Sequence, residues 1–403
     1  MSEFKVTSNW GNGADNLSSK ERLQDGFIRN GVNVDPLPGG RLGLRAGYEK
    51  VYAGTDVRGV LALGNKLLIA DGTSLVELNT SNESMRTIRA IAGSGAFAGT
   101  VLNEVLYFCT ENECLEYDGT NVRNWGVPDV TVQPTVTSGA AGGLVEGYYQ
   151  VAVTHTDAWG REGGTDKPAV IFAAENTALT INVTYIAAGC KANIYVGSLS
   201  GETLYKQNTI DSPTVVQVGI VRDDTARCTT VLKRAPRPGN RVVSHNSMVG
   251  TVAGRVVEFT SPMQPHLVDR VRSFLQYGTN IGEVVSTGDV LFVSADKCYA
   301  LTNVETDGIN QATVLEFPAV PGTGVLLPDG RATWMTRYGQ AISNGATMEL
   351  VNRKTFAPLD ASAGAAGVLD SNGNQLVVST LRGANKPNPL AASDFFIGEI
   401  LNP

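Results

Sequence analysis

The chain repeats itself, and that repeat constrains its fold more than any other feature. "GNKLLIADGTSLVELNT" (Gly64 to Thr80) and "LNEVLYFCTENECLEYDGT" (Leu102 to Thr120) share one pattern: a polar turn, four apolar residues, a second turn, then apolar residues around a glutamate. Asn65 and Asn103 lie 38 residues apart, whereas Glu77 and Glu116 lie 39 apart, so one inserted residue is expected in the hairpin turn. The pattern recurs as "TGDVLFVSADKCYALTNVE" (Thr287 to Glu305), "AGRVVEFTSP" (Ala253 to Pro262) and "RYGQAISNGATMELVNRK" (Arg337 to Lys354). Asn-Gly, Asp-Gly and Gly-Asp turns punctuate short alternating runs, the signature of hairpins. A hairpin is not stable alone in water, so the units must stack on one another. Recurrence at roughly 35 to 50 residues, with three or four strands per unit, predicts a β-propeller.

Units are expected at 56–92, 93–128, 240–278, 279–320 and 321–360. A sixth is expected from both chain ends, Phe27 to Ala53 pairing with Ala365 to Leu381, which closes the ring and removes its exposed edges. The alternative is an irregular sandwich with accidental repeats. Composition agrees with many short strands: 45 Gly and 17 Pro, 42% apolar and only 18% charged residues.

Between Asp129 and about Arg237 the period breaks. In "GGLVEGYYQVAVTHTDAWGREGGTDKPAVIF", Tyr149, Val151 and Val153 alternate with polar residues, and "ALTINVTYI" and "KANIYVGSLSGETLYKQNTI" add further strands. Six or seven such strands predict a small β-sandwich inserted into the propeller. The expected organisation is therefore an N-terminal arm (1–24), a first propeller part (25–128), the inserted sandwich (129–236) and a second propeller part (237–403).

No chemistry stands out. His155, His245 and His266 are scattered without metal-ligand spacing. Cys109 and Cys114 flank "TENE" at neither zinc nor redox spacing, and with Cys190, Cys228 and Cys298 they read as reduced thiols of a chain folded in a cytoplasm. "LDSNGNQ" (Leu369 to Gln375) begins like a calcium loop, but its twelfth position is Leu381, so the metal reading fails. The acidic residues Asp71, Glu77, Glu111, Glu113, Glu116 and Asp118 read as solvated turns and strand edges rather than acid/base pairs. No catalytic residue, cofactor or metal is expected. The N-terminus lacks a signal-peptide pattern and no apolar run is long enough to span a membrane.

One basic segment stands apart, Lys233, Arg234, Arg237 and Arg241, readable as a solvated linker or as a contact to a partner protein or passing DNA. The net charge of −7 argues against nucleic-acid wrapping as the main task. "SPMQPHLVDRVRSFLQYG" places Arg270 and Arg272 around Leu267, Val271, Phe274 and Leu275, as a short amphipathic helix or a docking loop. Trp125, Trp159 and Trp334 are the candidate exposed aromatics for ligand binding.

The order of these segments resembles a known family. "FIRNGVNVDPLPGGRLGLRAGYEKVY" is similar to the N-terminal blade of β-propeller proteins from tailed-bacteriophage tails, of nozzle, hub or baseplate type. "GLVEGYYQVAVTHTDAWGREGGT" resembles the fibronectin type III-like domain inserted in them. "GRVVEFTSPMQPHLVD", "ATWMTRYGQAISNGATMELVNRKTFAP" and "AASDFFIGEI" resemble their later blades, so the likeness runs over residues 25 to 400. It implies a structural virion component, not an enzyme. It further implies assembly in the host cytoplasm as a ring-shaped homo-oligomer, which contacts adaptor, tail-tube or fibre proteins, supports host attachment and lets DNA pass. A receptor- or glycan-binding module of the tail tip is the alternative. A polysaccharide hydrolase would need carboxylates converging at a channel mouth.

Overall fold

The computed structural model describes residues 9–19, 22–29, 31, 34–37, 39–44, 47, 49–306, 308–345, 347–358, 360–371, 374–383 and 395–401. The described chain is all-β, without α-helix, in many small antiparallel sheets. It forms two compact units, residues 56–276 and residues 1–55 with 277–403. The division falls at neither border of the expected insertion.

At the N-terminal end, β1 (Gly13–Ala14) pairs in parallel with β2 (Phe27–Ile28), and β3 (Val34–Leu37) forms a hairpin with β4 (Arg41–Leu44). Asn16 ties this end to later chain: its backbone amide donates to the Thr355 carbonyl and its side chain bonds both the amide and the carbonyl of Ala357.

The unit 56–276 opens with two four-stranded meanders. The first holds β5 (Val57–Leu63), β6 (Lys66–Asp71), β7 (Ser74–Asn79) and β8 (Ser84–Ala90). The second holds β9 (Ala98–Leu102), β10 (Val105–Cys109), β11 (Cys114–Tyr117) and β12 (Val122–Asn124). The register corrects the expected insertion. Leu63 pairs with Lys66 across Gly64-Asn65, and Leu102 pairs with Val105 across Asn103-Glu104, so Gly64 matches Asn103 rather than Asn65. Leu68 lies opposite Glu77 and Tyr107 opposite Glu116, which makes the offset 39 throughout, with no slip. Asn103 and Glu104 both have positive φ, 51° and 62°, the backbone of a two-residue hairpin turn that follows the strand twist. The two meanders share one core of Leu68, Leu75, Leu106, Phe108, Leu115 and Tyr117.

Seven strands follow: β13 (Thr135–Leu144), β14 (Gly147–Thr156), β15 (Ala169–Ala173), β16 (Thr177–Val183), β17 (Lys191–Gly197), β18 (Leu204–Ile210) and β19 (Thr214–Val218). They form two sheets, β13-β16-β19 and β15-β14-β17-β18. Both sheets feed a single core that includes Tyr149, Val151, Leu179, Ile181, Ile194 and Val218, alternate residues of strands buried on one face.

The third meander has β21 (Arg241–His245), β22 (Met248–Ala253) and β23 (Val256–Ser261) in order, and then divides. The first half of β23 pairs with β25 (Phe274–Gln276) and the second half with β24 (Gln264–Asp269), which also takes β20 (Lys233–Arg234). The segment expected to be a short amphipathic helix or a docking loop is thus two short strands. Pro265 and the valines oppose a helix. Asp269 instead turns the chain, its carboxylate accepting from the amides of Val271 and Arg272.

In the other unit, the fourth meander holds β26 (Glu283–Ser286), β27 (Leu291–Ser294), β28 (Cys298–Thr302) and β29 (Asn310–Leu315). The fifth holds β30 (Val325–Leu326), β31 (Ala332–Thr336), β32 (Gly339–Ser343) and β33 (Met348–Val351). Phe292, Cys298, Ala332 and Trp334 join these two in one core. The last sheet is β34 (Ala363–Ser371), β35 (Asn374–Arg382) and β36 (Phe395–Leu401). Among the described residues the expected pairing of the two chain ends is absent. β35 is already paired on both sides, by β34 and β36, and β3 and β4 pair with each other.

Candidate functional site

Within the unit 56–276, charged side chains gather on the first and second meanders, the seven-stranded sandwich and the basic segment. The arrangement starts from glutamates on third strands. Glu77 is 6% exposed and sits opposite Arg86 of β8. Its carboxylate accepts from Arg86 at 2.7 Å and from the Tyr117 hydroxyl at 2.5 Å, with Lys66 Nζ at 3.6 Å. Burial pushes the Glu77 carboxyl up, but the hydrogen bonds from Arg86 and Tyr117 outweigh it and hold the group below the usual carboxylate range. Glu116, 2% exposed, repeats the arrangement opposite Arg123 of β12. The expectation that these two glutamates solvate exposed turns is therefore corrected. Each is buried and neutralised by a cross-strand arginine, because a carboxylate in an apolar sheet needs a charged donor.

Glu116 has a second partner. Arg161, in the sandwich turn "TDAWGREG", reaches Glu116 Oε1 at 2.9 Å and also donates to the Trp125 and Asn124 carbonyls, both at 3.2 Å. Asp157 holds that turn, accepting from the amides of Trp159 at 3.0 Å and Arg161 at 2.9 Å and from Arg161 Nε at 2.7 Å. One planar guanidinium thus spans a carboxylate on the sandwich, a carboxylate on the meander and two backbone oxygens, a task suited to arginine's fixed fork. Trp159 projects beside it, 59% exposed, with the Arg123 and Arg161 guanidinium carbons 4.7 and 5.6 Å from its ring centre.

The other two candidate tryptophans are not exposed. Trp125 is wholly buried and donates from Nε1 to the Pro265 carbonyl at 2.5 Å, and Trp334 is 3% exposed in the core of the fourth and fifth meanders. Both fill apolar clusters, so neither offers a binding surface.

Two cations of the basic segment, Arg234 and Arg237, are engaged by carboxylates. Arg234 contacts Asp166 and lies 3.6 Å from Asp129, while Arg237 forks onto Glu258, with Nε 2.9 Å from Oε2. Glu258 is itself 5% exposed, on β23 as Glu77 is on β7, and Arg270 Nε stands 3.7 Å from it. Lys233 Nζ donates to Gln264 at 3.3 Å and Arg241 to the Asn240 carbonyl at 2.8 Å. Lys233, Arg234 and Arg237 fasten the segment to the sandwich and the third meander. Sequence reasoning missed the acceptors. A glutamate inside an apolar strand, facing an arginine one hairpin away, is the signal that points to them.

Burial, with Arg161 nearby, pushes His266 down to about 4, so it is neutral near pH 7. His155 is fully buried with Nδ1 2.9 Å from the Pro128 carbonyl. Among the described residues no group of three His, Cys, Asp or Glu side chains is placed to hold a metal, and no helix is long and apolar enough to cross a membrane. An open recess of about 250 Å³ lies between the β10–β11 and β22–β23 turns, lined by Thr110, Glu111, Asn240 and Gly254 among others.

No protein-family model matches the sequence, and no curated protein does. Solved structures align weakly. BBS1N, in complex with ARL6DN, aligns over 88% of this chain and 96% of its own, with 10% identity and a TM-score of 0.33. The AfRom2 CNH domain aligns over 86% and 94%, with 9% identity and a TM-score of 0.30. The extracellular domain of a putative one component system from B. thetaiotaomicron gives 9% identity and a TM-score of 0.26, and this chain spans 62% of its length.

Proposed function

We propose that this chain is a structural component of a bacteriophage tail, a nozzle, hub or baseplate-type β-propeller with an inserted fibronectin type III-like sandwich. It acts by assembly with copies of itself and with adaptor, tube or fibre proteins. The observation that carries the reading is the order of the sheets. Meanders at 57–90, 98–124, 241–276, 283–315 and 325–351 are interrupted once, by a sandwich at 135–218, which is the plan the sequence resemblance implies. Arginine–carboxylate braces support the same reading, because they make the inserted sandwich a fixed part of the scaffold.

The sandwich departs from the immunoglobulin-type order. There a first strand lies beside the second. Here β13 begins the domain, and the last strand, β19, lies beside β16 on the opposite edge. The seventh strand thus comes after the other six rather than before them.

Electron microscopy of the purified chain, with mass spectrometry of phage particles carrying it, tests the proposal. Rings of identical copies and peptides from intact particles are expected. A chain that stays monomeric and is absent from particles refutes it. The exposed Trp159 ring favours one second reading, a receptor- or glycan-binding module of the tail tip. Binding on a glycan array that Trp159→Ala abolishes supports that reading, and an array without signal removes it.

A further inference from the structure

β10 and β11 turn through Glu111-Asn112, where the Thr110 amide donates to the Glu113 carbonyl at 2.9 Å. Antiparallel ladders alternate between hydrogen-bonded and non-hydrogen-bonded pairs. The next pair along, Cys109 opposite Cys114, is therefore of the non-hydrogen-bonded kind, with Cα atoms near 4.5 Å apart. Disulfides span Cα separations of roughly 4.4 to 6.8 Å. The two Sγ atoms already touch, at 3.4 Å, and both thiols are free. Cys109 is fully buried beneath its partner, whereas Cys114 is partly exposed. The nearest polar partners of Cys228 and Cys298 are oxygens instead, Thr230 Oγ1 at 3.7 Å and the Phe317 carbonyl at 3.4 Å.

We propose that Cys109 and Cys114 form a covalent modification site, a cross-strand disulfide made by exchange with a low-molecular-weight disulfide. The Cys114 thiolate attacks one sulfur of the reagent, giving a mixed disulfide and releasing one reagent thiolate. The Cys109 thiolate then attacks the Cys114 sulfur and releases the second. The protein loses two electrons and two protons, and the reagent gains them as two thiols. The Cys109 sulfur and burial push the Cys114 thiol up, so exchange is slow, on the order of hours. The bond staples the turn that lines the 250 Å³ recess. It also stiffens the cluster of Tyr107, Cys109, Trp125 and Val249, where the second and third meanders share side chains. A chain assembled in a reducing cytoplasm and released into an oxidising medium would gain the bond on release. The site itself does not depend on the phage reading.

The test incubates the full native chain with oxidised glutathione, blocks remaining thiols with iodoacetamide and maps the peptides by mass. The expected product has lost two hydrogens, carries one Cys109–Cys114 bond, and is alkylated at Cys190, Cys228 and Cys298 after unfolding. Cys109→Ser should trap the glutathione adduct on Cys114, whereas Cys114→Ser should leave Cys109 unmodified. Native wild-type chain in which both cysteines remain alkylatable overturns the proposal whether or not the variants fold, as does a bond to any other cysteine.

Discussion

Glu116→Ala should weaken the junction between the second meander and the sandwich by about 2 kcal/mol. Removing one partner of a fully buried ion pair costs roughly 3–5 kcal/mol, because the remaining charge is stranded. Here the stranding is incomplete. Arg123 keeps Asp118 at 3.7 Å, Arg161 keeps Asp157 at 2.7 Å, and their side chains are 25% and 20% exposed. That solvent access brings the estimate down to ~2 kcal/mol, the level of one lost charge-assisted bond with partial desolvation. Glu116→Gln, which keeps the volume and one acceptor, should cost about half as much. A chain of 403 residues in two compact units does not unfold as one two-state step, so native-state hydrogen exchange is the suitable assay. The reporters are the Trp125 amide, bonded to the Cys114 carbonyl at 3.0 Å, and the Asp157 amide, bonded to the Arg161 carbonyl at 3.0 Å. A loss of ~2 kcal/mol appears as roughly thirty-fold faster exchange at both. In a double-mutant cycle with Arg161→Ala, a coupling of about 1–2 kcal/mol is expected. Unchanged protection at both amides, or a coupling below about 0.3 kcal/mol, refutes the brace.

Glu77 predicts a pH effect. Its carboxyl is held below its ordinary value of 4.5, so its stabilisation is complete above that value and is lost as pH falls through the lower folded value. Melting curves of wild type and Glu77→Gln should therefore converge on acidification below pH 4.5, and parallel curves at all pH values contradict the assignment. Tyr117→Phe removes one donor to Glu77 and should cost about 1 kcal/mol while raising the Glu77 titration midpoint by NMR. Trp334→Ala should cost about 3–5 kcal/mol in denaturant titrations of its unit, whereas Trp159→Ala should cost under about 1 kcal/mol. Gly164→Ala drives a Cβ into the Lys233 carbonyl, so limited proteolysis should cut the 219–240 linker faster than in wild type.

What the sequence revealed is what local chemistry encodes. Alternation and Asn/Gly turns act over a few residues, and four meanders fall inside the expected spans because each closes its own ladder, whereas the third sheet also takes β20 from outside its span. Side-chain partners were illegible because they come from far along the chain. Arg161 lies 45 residues from Glu116, and Arg234 lies 68 from Asp166. The repeat itself misled at one position. Matching Asn65 to Asn103 by identity invented an insertion, since the turn needs two residues of positive or permissive φ and is indifferent to which one is asparagine. Aromatic exposure was equally hidden. Trp125 follows a short edge strand and looks free in sequence, yet its indole enters the cluster with Tyr107 and Val249.

The basic segment shows how sequence charge and structural field diverge. Four cations in nine residues suggest a binding patch for a polyanion, but attraction at a surface depends on net charge within a Debye length, about 8–10 Å. Asp129, Asp166 and Glu258 all lie within that distance of Arg234 or Arg237. Glu258 also cannot give up its partners without stranding a nearly buried carboxylate. An incoming phosphate would have to displace these internal acceptors before gaining a contact. Arg234 and Arg237 are therefore better suited to fixing the sandwich on the third meander than to gripping a phosphate backbone.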